Sequence, residues 1–340
     1  MTTITTEKST KKPRQNQRLR VLYLLKILYL YTDESNAITV SEIKSRLATY
    51  GISCERRSLY SCFNELQQFG IQIEKFRSGR TFYYRIPKRL FFLSELKVMV
   101  DSIQSFKFLT EKESKKLIHK IELLTSHSEA DKLKHQVYVT ERVKTKNADV
   151  FTNIDKINDA IKYNHQITFK YFFIDEKKEI RLKNNGFPYL VSPWWLVVSN
   201  EKYYLVAYDH MNKKLKHFRI DKIISLKIMP ERREGYSFVK DINPVIYAKK
   251  MFGMFGGKEY SVKIKCKNIM ANSIVDRFGM DVLIIPRNDE EFITIVNVAV
   301  SPKFIHWVLE FGDNATIIGP EPVVCMVKEE IVRLSRQYDV

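Results

Sequence analysis

The chain has 340 residues and a mass of 40.2 kDa, a length that suits two or three domains. Its 57 Lys/Arg against 39 Asp/Glu give a formal net charge of +18. Hydrophobic residues make up 44% and aromatics 12%, enough to build cores, so global disorder is excluded. The excess charge points to a polyanionic partner, nucleic acid before an acidic membrane surface.

No apolar run approaches the roughly 18 to 20 residues of a membrane helix. The best candidate, Val21 to Tyr31, is too short and contains Lys26. The N-terminus has no apolar core before a small-residue cleavage site, so no secretory signal is expected. Cys54, Cys62, Cys266 and Cys325 show no Cys-x-x-Cys spacing. They read as small buried hydrophobes in a reducing compartment, with no metal, and a cytoplasmic protein follows.

Residues 1–90 hold 17 Lys/Arg against 7 Asp/Glu, a net of +10, so over half the excess sits in the first quarter. That asymmetry points to a nucleic-acid module at the N-terminus. Met1 to Asn16 is expected to be a flexible basic tail, adding phosphate attraction without specificity.

Arg18 to Tyr31 reads as a helix with apolar residues on nearly every side, either fully buried or shared with a partner chain. Thr39 is the expected N-cap of a second helix, Val40 to Tyr50, with Glu42 as its capping-box partner. A short turn leads to a third helix, about Glu55 to Phe69. Its apolar set Leu59, Cys62, Phe63 and Leu66 follows i, i+3, i+4, i+7. The exposed face then carries Arg56, Arg57, Ser58, Tyr60, Ser61, Asn64 and Gln68, side chains that bond phosphates or base edges. Helix, short turn, helix is the arrangement of a helix-turn-helix. Ile71 to Phe76 and Thr81 to Ile86 follow as strands around Arg77-Ser78-Gly79-Arg80, a tight turn. Lys75, Arg77, Arg80 and Arg85 make this hairpin a basic wing suited to backbone or minor-groove contact. The bland alternative is a solvated three-helix core with no DNA partner.

Leu93 to Phe106 and Glu111 to Thr125 read as two connector helices, with Ser94 and Thr110 as expected caps. Ser126 to Asn147 is polar and loop-like. Ile154 to Asn164 is helical again. From His165 the period changes from 3.6 to 2. Strands are expected at Ile167–Phe173, Glu179–Leu182, Tyr189–Val198, Lys202–Tyr208, Leu215–Ile220 and Ile223–Ile228. That many short strands suggest a small closed barrel.

Three segments are family-specific: Ser192-Pro193-Trp194-Trp195-Leu196-Val197, Tyr203-Tyr204-Leu205-Val206-Ala207-Tyr208-Asp209, and His217-Phe218-Arg219-Ile220-Asp221-Lys222-Ile223. Together they resemble the WYL domain, whose fold is similar to the Sm/SH3-like β-barrel. Tyr203 stands where the name-giving Trp would be, and Lys222 where the family often has Arg, which weakens bidentate anion binding. The resemblance continues to the C-terminus. A strand at Tyr260–Cys266, a helix at Asn268–Phe278, strands at Asp281–Pro286 and Glu291–Val300, a helix at Ser301–Phe311 and a strand at Ala315–Ile318 precede a final helix to Tyr338. This β-α-β-β-α-β order is that of a ferredoxin-like fold. Arg277-Phe278-Gly279, Phe304 to Trp307 with Phe311-Gly312, and Gly319-Pro320-Glu321 look like the C-terminal extension (WCX) that accompanies WYL domains.

The expected architecture is therefore multidomain α+β. Residues 1–16 form the tail, 17–90 the winged helix-turn-helix, 91–147 the helical connector, 148–235 the WYL barrel and 236–340 the ferredoxin-like extension. The resemblance implies a bacterial, homodimeric transcriptional regulator that binds a double-stranded operator. It implies a barrel that senses a negatively charged effector, a nucleotide or single-stranded nucleic acid. Tyr171, Ser192, Trp194, Tyr204, His217, Arg219 and Lys222 match its ligand positions. Their chemistry suits that role: Arg219 offers a planar fork, Lys222 a point charge, His217 a donor, and the rings stack on bases. Asp221 lies two residues after Arg219, so Arg219 is open to a purely structural role instead. Tyr204 and Trp194 are equally open to core packing. The alternative function is a single-stranded nucleic-acid-binding accessory protein acting through the barrel. No phosphate-binding or Rossmann glycine spacing and no His-Glu-x-x-His occurs. Asp209 and His210 are turn neighbours that need not meet a serine. No enzyme and no cofactor is expected.

Overall fold

A computed structural model describes residues 19–134 and 144–339; the expected basic tail, Met1 to Asn16, lies outside the described residues. The chain divides into two compact units, Met1–Lys144 and Thr145–Val340.

In the first unit, α1 (Arg20–Tyr31) buries Leu24, Ile27 and Leu28. Leu22 remains exposed, so the all-round apolar pattern is only partly buried. A short strand, β1 (Ile38–Thr39), leads into α2 (Val40–Thr49). The expected capping box forms: Thr39 Oγ1 accepts from the Glu42 N–H at 3.2 Å, and the Glu42 carboxylate accepts from the Thr39 N–H at 2.7 Å. The third helix, α3 (Arg56–Gln68), buries the expected Leu59, Cys62, Phe63 and Leu66. Strands β2 (Glu74–Ser78) and β3 (Thr81–Arg85) form the hairpin. Gly79 turns it with φ of 59°, a region closed to most side chains. Two details differ from expectation. Ile71 lies just past α3 and closes its C-terminal end, its N–H bonding the Leu66 carbonyl at 2.9 Å, and pairing starts at Glu74. And β1 adds a third strand to β3.

The connector holds α4 (Leu93–Ser105) and α5 (Glu111–Glu122). Thr110 caps α5 as expected, accepting from the Glu113 N–H at 3.2 Å. Ser94 does not cap α4. That helix starts at Leu93, and Glu95 holds the Phe92 N–H at 2.8 Å. The expected loop from Ser126 also contains a helix, α6 (His127–Lys134). Among its described side chains Ala130 and Leu133 anchor it in the core, too few to give a helical period. Ser126 begins it, donating to the buried Asp33 carboxylate at 2.6 Å and accepting from the Glu129 N–H at 3.1 Å.

In the second unit, α7 (Val150–Lys162) covers a sheet of β4 (His165–Ile174), β5 (Ile180–Leu182), β6 (Tyr189–Ser199), β7 (Lys202–Asp209), β8 (Lys214–Arg219) and β9 (Ile223–Arg232). The path runs β5-β4-β6-β7-β8, with β9 on β4, all antiparallel. Asn200 and Glu201, at φ of 49° and 59°, turn β6 into β7. Among the described residues no ladder joins β8 to β9; a single 3-10 turn, Ile220–Lys222, spans them. In place of the expected closed barrel the strands form a curled antiparallel sheet in which β4 pairs with both β6 and β9. Its core is Ile167, Phe169, Val191, Leu205, Phe218, Ile220 and Ile223.

A helix absent from the sequence reading follows: α8 (Pro244–Lys250). Its seven residues are too short to show a period, and the Asn243 cap alone marks it. Then come β10 (Lys258–Lys267), α9 (Ala271–Phe278), β11 (Leu283–Pro286), β12 (Glu291–Val300), α10 (Pro302–Leu309), β13 (Ala315–Gly319) and α11 (Glu321–Gln337). The expected β-α-β-β-α-β order is present, with strand order β11-β12-β10-β13. Val262, Ile264, Phe292, Val296, Phe304 and Val323 fill the core between this sheet and its helices. No helix of the described residues is long and apolar enough to cross a membrane.

Candidate functional site

Two sets of candidate residues lie in the two units. In the first, burial of Leu59, Cys62, Phe63 and Leu66 turns Arg56, Arg57, Ser61 and Asn64 outward, all exposed, with Ser58 and Tyr60 half-buried. The hairpin docks on α3 through Phe63 and Tyr84, stacked at 4.6 Å and 9°. This packing brings the hairpin's Lys75 to the helix's polar face. Lys75 Nζ sits 5.9 Å from the Tyr60 ring and 4.4 Å from the Phe82 ring. Arg56 Nε donates to the Tyr60 hydroxyl at 3.1 Å. Tyr60 therefore links helix and hairpin.

These side chains differ in availability. Arg57, Asn64 and Arg80 make no intramolecular hydrogen bond or ion pair among the described residues. Ser61 donates to Glu65 at 3.1 Å, and Arg77 Nε to the Gly79 carbonyl at 3.0 Å. Arg85, expected on the wing, is committed: it pairs with Glu74 at 2.8 Å and donates to the Glu34 carbonyl. It ties the hairpin to the loop after α1.

The second unit divides its seven candidates. Tyr171, Tyr204, His217 and Arg219 converge where β4, β7 and β8 meet. Tyr204 pairs across from Arg219, and Val206 across from His217, so Tyr204, His217 and Arg219 share one sheet face, while the Tyr171 ring packs edge-on against Phe218 at 5.6 Å. The Tyr171 hydroxyl accepts from the Arg219 N–H at 3.1 Å. Burial pushes the Tyr171 phenol up to about 12. Arg219 is held by Asp221, with Nε at 3.0 Å from Oδ1 and Nη2 at 2.6 Å from Oδ2. The Asp221 side chain is 4% exposed and that of Arg219 30%. Burial works against the guanidinium charge, but the two bonds to Asp221 outweigh it and raise the Arg219 pKa. Lys222 Nζ lies 4.7 Å over the Phe172 ring with no ion-pair partner among the described residues. Burial lowers its pKa. His217 Nε2 meets the Tyr247 hydroxyl at 2.9 Å. Burial pushes this imidazole down to about 4 and the Tyr247 phenol up to about 12, so His217 is neutral near pH 7. Tyr204 is also a core residue, packed with Val206, Tyr247 and Met251.

Ser192 and Trp194 stand apart. A bulge between Pro193 and Trp195 separates Trp194 from the ladder. Arg233 lies 4.3 Å over its ring and donates to the Pro193 carbonyl at 2.8 Å. Ser192 Oγ is 2.9 Å from His210 Nε2, and His210 Nδ1 is 3.5 Å from Glu234. His210 does meet a serine, so the expectation that it need not is corrected. The Ser-His-Glu order is that of a hydrolase triad, but Ser192 is 0% exposed and its Oγ also accepts the Glu234 N–H at 2.8 Å. A nucleophile needs access to its substrate; this hydroxyl instead fastens the turn after β9. Gly235 completes that turn at φ of 80°, where a Cβ would meet the Tyr208 ring at 2.3 Å. The pairings of Arg233, His210 and Tyr247 join residues 40, 18 and 30 positions apart, and no local pattern in the sequence announces them.

Comparison with known proteins bears on the second unit. No curated protein matches the chain. Among solved structures, proteasome accessory factor B/C (PafBC) of Arthrobacter aurescens is similar at 15% sequence identity and a TM-score of 0.27. That likeness covers 91% of this chain and 46% of that one, so this chain spans under half the length of that structure. Residues 152–228, from within α7 to within β9, match the family model of the WYL domain. The chain therefore carries a WYL domain there.

Proposed function

We propose that the protein is a cytoplasmic, non-enzymatic transcriptional regulator. Its first unit binds duplex DNA as a winged helix-turn-helix, and its WYL domain senses an anionic effector. The observation that carries this reading is the joint face of α3 and the hairpin. There Arg57, Asn64, Lys75 and Arg80 are exposed and free of carboxylate partners among the described residues, and Lys75 and Arg56 converge on Tyr60. Helix side chains of this kind read base edges in the major groove, while wing cations hold phosphates. The WYL domain supports the regulatory half of the reading. Within it, Arg219 keeps one guanidinium nitrogen outside the Asp221 pair, and Lys222 keeps its whole ammonium. Those two groups, with Tyr171 and His217, are the effector residues we assign; Tyr204 supports them as packing. Ser192 and Trp194 belong to a separate cluster. We further assign residues 17–90 to the winged helix, 91–147 to the connector, 148–235 to the WYL sensor and 236–340 to a ferredoxin-like WCX extension, acting as a homodimer.

The test is selection of bound duplexes from a random pool, followed by Arg57→Ala with Asn64→Ala. Each lost base contact costs about 1–3 kcal/mol of discrimination, so the double variant is expected to lose its sequence preference while remaining folded. Unchanged preference overturns the recognition-helix assignment. A preference for single strands over duplex by the intact protein favours the accessory-protein alternative. For the sensor, Arg219→Ala is expected to retain basal DNA binding and to lose the response to nucleotides or short single strands.

A further inference from the structure

A cleft of about 660 Å³ opens in the second unit beside α8. Its walls include Val198 from the end of β6, Val245 and Lys249 from α8, and Phe252, Arg277 and Trp307. The volume is that of a small-molecule site. The lining holds two cations and no Asp or Glu. Neither cation has a carboxylate partner among the described residues. Arg277 Nη2 donates to the Lys249 and Met251 carbonyls at 3.3 and 2.9 Å, which fixes the guanidinium 4.2 Å over the Phe252 ring. Its remaining donors are unclaimed among the described residues. Burial lowers its pKa, a cost that an anion in contact would offset.

We propose that this cleft binds an amphipathic organic anion, an apolar ring or chain bearing one carboxylate, sulfonate or phosphate, at a site distinct from Arg219. The anionic group bonds Arg277 and Lys249; the apolar body lies against Val198, Val245, Phe252 and Trp307. The site is placed to communicate. One side of α8 lines the cleft, while its Tyr247 packs with Tyr204 and Val206 and bonds His217 at 2.9 Å. A ligand that fixes α8 thereby fixes the strand that carries Arg219, and coupling between two such sites is reciprocal.

The probe is 8-anilinonaphthalene-1-sulfonate, titrated into the full-length protein with excitation of tryptophan. One saturable site per chain is expected, with energy transfer from Trp307. Arg277→Gln is expected to weaken it at least tenfold. Because Arg277 also holds two backbone carbonyls, two further variants on exposed α8 positions separate binding from folding. Lys249→Gln should weaken binding about threefold, and Val245→Trp, which fills the cleft, should abolish it. Arg219→Ala should leave the affinity unchanged, and the neutral N-phenyl-1-naphthylamine should bind at least tenfold more weakly. The proposal is overturned by non-saturating uptake, by equal affinity for the neutral dye, by loss of binding in Arg219→Ala, or by an affinity that Lys249→Gln and Val245→Trp both leave unaltered.

Discussion

The α3–hairpin face and the β7–β8 face of the WYL domain are built from the same residue types, arginine, lysine and tyrosine, yet their charges are in different states. On α3, Arg57 is exposed and has no carboxylate partner among the described residues. On β8, Arg219 is fastened through two nitrogens to Asp221, itself nearly buried. The first arrangement suits a long polyanion, whose many phosphates each displace counterions and need no fixed geometry. The second suits one small anion, because Arg219 is already oriented and only part of its fork is open. An arginine beside a tyrosine is therefore not a site by itself; the residue two places on decides what the arginine is free to do.

The sharpest way to break this comparison is to remove the partner that makes the difference. Asp221→Ala leaves Arg219 charged and partly buried without a counter-ion. Loss of one member of a buried pair costs about 3–5 kcal/mol; the 30% exposure of the Arg219 side chain puts the expected loss at the low end, roughly 3 kcal/mol, by urea unfolding. Arg57→Ala should change stability by under about 0.5 kcal/mol, as an exposed surface position does. Equal losses at the two positions would show that Arg219 is as free as Arg57.

A second difference lies in pH. His217 is neutral in the fold, with its pKa pushed down to about 4 by burial, against an unfolded value of 6.5. Between those values the unfolded chain binds the extra proton and the folded one does not, so stability falls as pH falls from 6.5 toward 4. At pH 5 the expected loss is on the order of 2 kcal/mol. The buried carboxylates Asp33 and Asp209 have pKa values lowered from 3.8, so their contributions are lost only at still lower pH. His217→Gln, which keeps a partner for the Tyr247 hydroxyl, should flatten the profile between pH 6.5 and 4. A profile that the variant leaves unchanged would assign the acid sensitivity to other groups.

What the sequence made legible divides along the same line. Leu59, Cys62, Phe63 and Leu66 announced α3 because each step of three or four residues returns to one face, and Thr39 with Glu42 announced the start of α2 because a cap is local chemistry. The C-terminal strand and helix order was readable for the same reason. The Arg219–Asp221 pair was visible as a possibility, since residues two apart on a strand share a face. Contacts between more distant residues leave no such local mark. Ser192 with His210, His217 with Tyr247 and Trp194 with Arg233 are made by pairing of distant strands and turns. Helix α6, with two buried anchors, and α8, with seven residues, are too short to show a period. The curl of the sheet, in which β4 pairs with both β6 and β9, leaves no mark on the alternation of its strands.

The smallest expected effect concerns how loosely the α3–hairpin charges are used. Arg77 donates only to its own turn, and Arg80 has no partner among the described residues, so both are available to phosphates. Each phosphate contact contributes about 0.9 to the slope of log affinity against log salt. Arg77→Ala with Arg80→Ala is therefore expected to lower that slope by about 1.8 and to weaken all duplexes alike, leaving sequence preference intact. Across a fourfold change in salt this amounts to roughly tenfold in affinity. Arg219→Ala, run beside it, should not alter the slope, because Asp221 largely offsets that charge. A change in preference with no change in slope would mean that the hairpin reads bases, and a lowered slope in Arg219→Ala would mean that the WYL face binds the same duplex. Either result would remove the distinction between an open polyanion surface and a closed anion site.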